Sequence, residues 1–120
     1  MRDIRKEIYE TLSKDEALTA LLAEGKESVY MAISEDAGTY PVVVIKEVDN
    51  TPAFADDKEL MNFIRYQITI VTHDGEFLEI ERIILQDMYG LGFSRSTTTE
   101  WNQGGTYYRA LQFIIKTGVD

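Results

Sequence analysis

The run from Phe63 to Thr72 alternates Ile64, Tyr66, Ile68 and Ile70 with Arg65, Gln67 and Thr69. A period of two sends successive side chains to opposite faces of a pleated strand, so this stretch buries one face, whereas a helix would repeat its apolar residues every three to four positions. The β-branched and aromatic side chains suit that half-buried surface. A second run, Tyr107 to Lys116, sets Leu111, Phe113 and Ile115 on one face, and Phe77 to Met88 between the two has helical spacing. Together they predict an α+β fold: a single, mostly antiparallel sheet of about four to five strands, with N-terminal helices and one central helix packed on it.

Taken from the start, Ile4, Ile8 and Leu12 share one helical face, predicting an amphipathic helix over residues 2–12. Ser13 followed by Glu16 matches a capping box for a second short helix that begins at Lys14, buries Leu18, Leu21 and Leu22, and stops at Gly25. The spacing also allows the two to fuse into one bent helix. Lys26 to Ile33 alternates Val29, Met31 and Ile33 as a first strand, and Tyr40 to Val48 opens with Pro41 and continues as a β-branched second strand. Asp49 to Leu60 reads as a polar connection, long for a hairpin. Asp74 offers an N-cap to a helix striped by Phe77, Ile80, Ile84 and Met88 and flanked by Ile83, with Gly90 as its left-handed terminator. Gly92 to Trp101 is β-prone, and the Asn102–Gly105 turn completes a C-terminal hairpin. The expected core is Ile4, Ile8, Leu18, Val44, Ile68, Ile70, Ile80, Ile84, Leu111 and Phe113.

At 120 residues the chain is long enough for one core, and a single domain over residues 1–120 is expected. Twelve basic residues against twenty-one acidic ones leave a net charge of −9. That field repels a phosphate backbone and disfavours sequence-specific nucleic-acid binding. No apolar run approaches the ~18 residues of a membrane span. The mixed charges of Arg2, Asp3, Arg5, Lys6 and Glu7 do not form a secretory signal, so an intracellular chain is expected. With no cysteine there is no disulfide, thiolate metal site or cysteine nucleophile.

The chemical signals each have a plain structural account. His73 is the one histidine, and beside Asp74 at a strand end it reads as an exposed turn residue, not half of a triad. Asp56, Asp57 and Glu59 lack the ligand spacing of a calcium loop. Glu76, Glu79 and Glu81 sit in the first turns of the middle helix, where carboxylates favour the positive end of its dipole. Gly90-Leu91-Gly92-Phe93 follows a helix where a phosphate loop would precede one. No catalytic, cofactor-binding or metal-ligating residues are expected, and an enzyme is not expected without a nucleophile and base. Tyr107 and Arg109 are of types enriched at interface cores, and Phe54, Asp56, Asp57 and Leu60 lie in a connection too polar to form a core. These six are the candidate partner-binding residues, the last four as an anchor that orders on contact.

The order of segments resembles phage tail-completion proteins of the tail-to-head joining, or tail-terminator, type, formerly a domain of unknown function. The residues that carry the resemblance are Asp15 to Leu22, Val29-Tyr30, Tyr40 to Val44, Tyr66 to Ile70, Leu85 to Tyr89 and Thr106 to Phe113. The resemblance implies a non-catalytic virion-assembly protein without cofactors. It implies a homo-oligomeric ring, with a hexamer among the expected sizes, at the head-proximal end of the tail tube, with the tail tube protein and head connector proteins as partners. Such a protein would be found in the host cytoplasm during assembly and then in the virion tail, with no membrane contact. The other reading open to the residues is a small ligand-binding or regulatory domain of a cytoplasmic bacterial protein.

Overall fold

The computed structural model describes residues 3–31, 39–55 and 58–118, the side chains of 52–61 and 118 excepted. Its elements follow the order α1 (Ile4–Lys14), α2 (Glu16–Thr19), a 3₁₀ turn (Gly25–Ser28), β1 (Val29–Met31), β2 (Val42–Ala55), β3 (Lys58–Thr72), α3 (Leu78–Gly90), β4 (Ser94–Gln103) and β5 (Thr106–Gly118). The strands form one sheet in the order β1-β2-β3-β5-β4. Every pairing is antiparallel except that of β1 with β2. This is the expected α+β class.

The central position of β3 follows from its alternation. Ile64, Tyr66, Ile68 and Ile70 all lie on the face that carries the helices, in register with Ile115, Phe113, Leu111 and Arg109 of β5. Onto that face α1 brings Ile4, Ile8 and Leu12, α2 brings Leu18, and α3 brings Ile80, Ile84 and Met88. Phe93 sits between Tyr66 and Phe113 with edge-to-face ring contacts at centroid distances of 6.3 and 6.5 Å, the arrangement that matches positive ring edges to negative ring faces. Nine of the ten expected core residues are buried here. Val44 is the exception: opposite Thr69, it faces the other side of the sheet and is half-buried, while Val43 and Ile45 point to the helices.

Local details depart from the expected caps. Ser13 lies inside α1, and the break between α1 and α2 falls at Asp15, whose carboxylate accepts from the Leu18 amide at 3.1 Å. Asp74 does not cap α3. Its Oδ1 accepts from the Glu76 amide within the preceding turn, and the helix begins three residues later than such a cap would place it. Gly90 remains helical, and the left-handed residue is Gly92, at φ +99°. The Gly92 and Phe93 amides return to the Tyr89 and Met88 carbonyls, a Schellman closure in which buried Phe93 packs beside buried Met88. The first strand is shorter than expected because Gly25–Ser28 closes into a 3₁₀ turn; Ile33 and most of the loop after it lie outside the described residues.

The largest correction concerns Asp49 to Leu60. Apart from 56 and 57, which lie outside the described residues, this segment is not a loop. It continues β2 into β3, with register pairs running from Asp49↔Arg65 to Ala55↔Lys58. β5 accompanies β3 only as far as the Met61↔Gly118 pair. Beyond it only Phe54↔Glu59 and Ala55↔Lys58 continue, a short two-stranded tip on an arm whose base, from Asn50 to Ala53, is three-stranded. The molecule is accordingly elongated, 51 × 28 × 23 Å.

Candidate interaction surfaces

Three regions present polar or aromatic groups that the core does not use. The first is the arm. Lys46, Glu47, Val48, Asp49, Asn50 and Thr51 are all exposed, so both faces of β2 meet solvent where the arm begins. A bulge at Val48 shifts the register between Glu47 and Asp49, and Arg65 on β3 closes on Asp49 at 3.2 Å. Of the candidate anchors, Phe54 and Leu60 belong to the paired strands of the arm, with side chains outside the described residues; Asp56 and Asp57, between the strands, lie outside them altogether.

The second region is an ionic cluster where α3 crosses β5. Arg109 binds the Glu81 carboxylate through Nε and Nη2 and the Glu100 carboxylate through Nη1, the last at 2.9 Å, while Arg95 approaches Glu81 at 3.9 Å. Glu81 is 9% exposed. A carboxylate so enclosed needs compensating cations, and it holds the Arg109 guanidinium raised above its ordinary range. The dipole account of Glu76, Glu79 and Glu81 therefore misses what Glu81 does. Only the fold brings Arg109, 28 residues away, beneath it. Arg109, expected at a partner surface, is engaged within the chain, whereas neighbouring Tyr107 is 36% exposed. Glu81→Ala would leave Arg109 half-buried with Glu100 as its main partner, at a cost of about 1–3 kcal/mol. Thermal melting should fall by several degrees, less for Glu81→Gln, and an unchanged Glu81→Ala melt would remove the cluster from the stability of the fold.

The third region is the second sheet face, on which no described helix packs. A chain of side-chain hydrogen bonds crosses three strands there: Thr97 donates to Gln112 at 3.2 Å, Gln112 to Gln67 at 3.2 Å, and Gln67 to Thr69 at 3.0 Å. Trp101 stacks on Tyr108 at 5.2 Å with planes 5° apart, and Tyr40 leans on His73 at 4.2 Å. His73 is exposed at the end of β3, as expected of a turn residue. A shallow cleft of about 360 Å³ beside the start of α3 has Leu21, Pro41 and Leu78 in its wall and Asp74, Glu76 and Glu79 around it, so it repels anions. Among the described residues no group of three or more His, Cys, Asp or Glu is placed to hold a metal ion, and no helix is long and apolar enough to cross a membrane.

One buried carboxyl stands apart. Asp87 in the last turns of α3 is half-buried, and its Oδ2 is enclosed without a hydrogen-bond partner in the structure. Burial, and then the facing Asp15 carboxylate, push it up to about 7 from an ordinary value of 3.8. The folded state thus favours the protonated acid: the carboxyl carries no penalty below about pH 4, the penalty grows as pH rises toward 7, and it is constant above. In a dry site the cost at pH 8 would be ~4 kcal/mol; solvent screening of a half-exposed group leaves about 1–2 kcal/mol. Asp87→Asn, whose amide can donate to Asp15 at any pH, should therefore raise the melting temperature by several degrees at pH 8 and barely change it at pH 5. Parallel melting curves for variant and parent between pH 5 and 8 would contradict this.

Comparison with known proteins gives matches of two kinds. The family profile described as "Tail completion protein gp17" matches residues 6–86. Among solved structures, a chain from the "Virion of native gene transfer agent (GTA) particle" superposes with a TM-score of 0.72 over 97% of this chain and 95% of that one, at 14% sequence identity. At that identity the likeness is one of fold. No curated protein matches the sequence.

Proposed function

The chain belongs to the tail completion protein gp17 family, and we propose that, as one domain over residues 1–120, it forms a closed ring of copies at the head-proximal end of a phage-type tail tube. There it stops elongation of the tube and offers a surface to the head connector. It is a structural tail protein of phage type, and in this reading its work is assembly, without catalysis or cofactor, begun in the host cytoplasm and ending in the virion. The fold shared with a chain of a gene transfer agent virion supports a place in such a particle.

The observation that carries the reading is the β2–β3 arm. Along it β2 runs with exposed residues on both faces, and past Met61↔Gly118 only a two-stranded tip continues, of a kind marginal in water by itself. A ring needs a subunit that reaches beyond its own core to a neighbour, and the arm supplies that reach. Phe54 and Leu60 are its apolar contributions, Asp56 and Asp57 its charge, and Tyr107 extends the partner surface at the other end of the sheet. Acidic groups around a ring's opening would keep passing DNA from adhering.

The test is direct. Tail tubes assembled from the tail tube protein of the same virion are mixed with the purified chain and viewed by electron microscopy. Rings at one end of tubes of arrested length are expected. Tubes that elongate unchanged, with no chain bound at either end, would remove the proposal.

A further inference from the structure

The ladder between β2 and β3 runs from the arm to the Val42↔Val71 pair, and the cleft lined by Pro41 and Asp74 lies just past that end, remote from the arm. At about 360 Å³ it is near the small end of natural binding pockets, which span roughly 300–1,000 Å³. That size suits a few side chains of a partner. In its wall stands Leu78, the first residue of α3, 78% exposed and more so than any other large apolar side chain described. The helix gains nothing from it, since a first turn favours polar or acidic groups. A residue that breaks the local rule without a local gain points to a functional site. Half-buried Leu21 and Pro41 complete the apolar part of the wall.

Around this wall stand the carboxylates of Asp74, Glu76 and Glu79, all three exposed. None forms an ion pair with a described residue, whereas Glu10, Asp49, Glu81 and Glu100 each meet a lysine or an arginine. Among the described residues that line the cleft there is no cation. The positive end of the α3 dipole, worth roughly half a charge, offsets only part of three carboxylates. The cleft thus offers apolar contact within and negative potential around it. An aliphatic side chain with lysine or arginine beside it matches both. A second copy of this chain does not supply one from its arm: residues 54–60 hold Phe54 and Leu60 among Asp56, Asp57, Glu59 and a single Lys58, and the whole chain carries −9. Like charges brought together at a contact oppose it.

We propose that this cleft is a docking site for a segment of a different protein, in which an aliphatic side chain seated against Leu21, Pro41 and Leu78 is flanked by basic side chains that meet Asp74, Glu76 and Glu79. The anchor supplies most of the affinity, and the charges supply encounter rate and specificity. Every residue of the site belongs to one copy, so the site stands or falls separately from the ring and from the arm.

Amide NMR spectra of the full chain, recorded while an end-capped pentapeptide of sequence glycine-lysine-leucine-lysine-glycine is added to millimolar concentration, test this. Saturable shifts gathered at Leu21, Glu76, Leu78, Glu79 and Ile80 are expected. Serine in place of the peptide's leucine should weaken binding several-fold, and glutamates in place of its lysines should abolish it. In the protein, Leu78→Ser and the double variant Glu76→Gln/Glu79→Gln should each weaken binding several-fold and leave melting within a few degrees of the parent, because all three side chains are exposed. Shifts that are absent, do not saturate or centre on another surface overturn the proposal, and so does equal binding of the glutamate peptide. Self-association of the parent that Leu78→Ser abolishes would assign the cleft to a second copy and overturn it as well.

Discussion

Phe113→Asp is expected to abolish cooperative unfolding, and Ile84→Asp to do the same. Both side chains are fully buried, and they approach the core from its two layers, Phe113 from β5 and Ile84 from α3. Phe113→Ala alone would remove an aromatic ring that meets Phe93 edge to face, at a cost of about 3–5 kcal/mol. Aspartate adds the desolvation of a charge, while the arginines near it are engaged: Arg95, opposite Phe113 on β4, approaches Glu81, and Arg109 is committed to Glu81 and Glu100. The sum approaches or exceeds the whole stability of a domain of this size, typically 5–15 kcal/mol. Circular dichroism would follow both variants on heating; a sigmoidal melt near that of the parent would show that these positions do not form the core.

The same burial explains which parts of the fold could be read from residues alone. β3 and β5 each bury one face, so their apolar residues recur with a period of two and the register of the faces is visible without coordinates. α1 and α3 bury a stripe, visible through Ile4, Ile8 and Leu12 or Ile80, Ile84 and Met88. β2 buries neither face where the arm begins. Asp49, Asn50 and Thr51 carry no periodicity because nothing packs on them, and only backbone pairing with β3 makes them a strand. Glu81 was hidden for another reason. Its neighbours in sequence give it the appearance of a surface carboxylate, while its partners, Arg95 and Arg109, arrive from strands that follow it. Caps were misplaced by a few residues because Ser13, Asp15 and Asp74 are all competent acceptors, and tertiary packing selects among them. The partner-binding residues show the same limit: Tyr107 is exposed and Arg109 is not free, a difference that alternation cannot reveal because residues two apart share a face.

Shortening the arm should separate folding from assembly. Replacing residues 53–61 by Asn-Gly would join Pro52 to Asn62, which already face each other across the ribbon, through a two-residue turn whose geometry suits hairpin twist. The helices and the five-stranded part of the sheet are left whole. Only the Met61↔Gly118 pair of the β3–β5 ladder goes with the replaced residues, and the melting temperature should stay within a few degrees of the parent. Assembly onto tail tubes, in contrast, should fail completely if the arm is what a neighbouring copy grips. Phe54→Ala and Leu60→Ala, which keep the ribbon but remove two of its large apolar groups, should weaken assembly to an intermediate degree, because interface energy concentrates in a few such anchors. A shortened chain that melts normally and still caps tubes would show that the arm is dispensable at the tail. One that no longer folds would show that the ribbon contributes to the core after all, and would assign its residues to stability instead of contact.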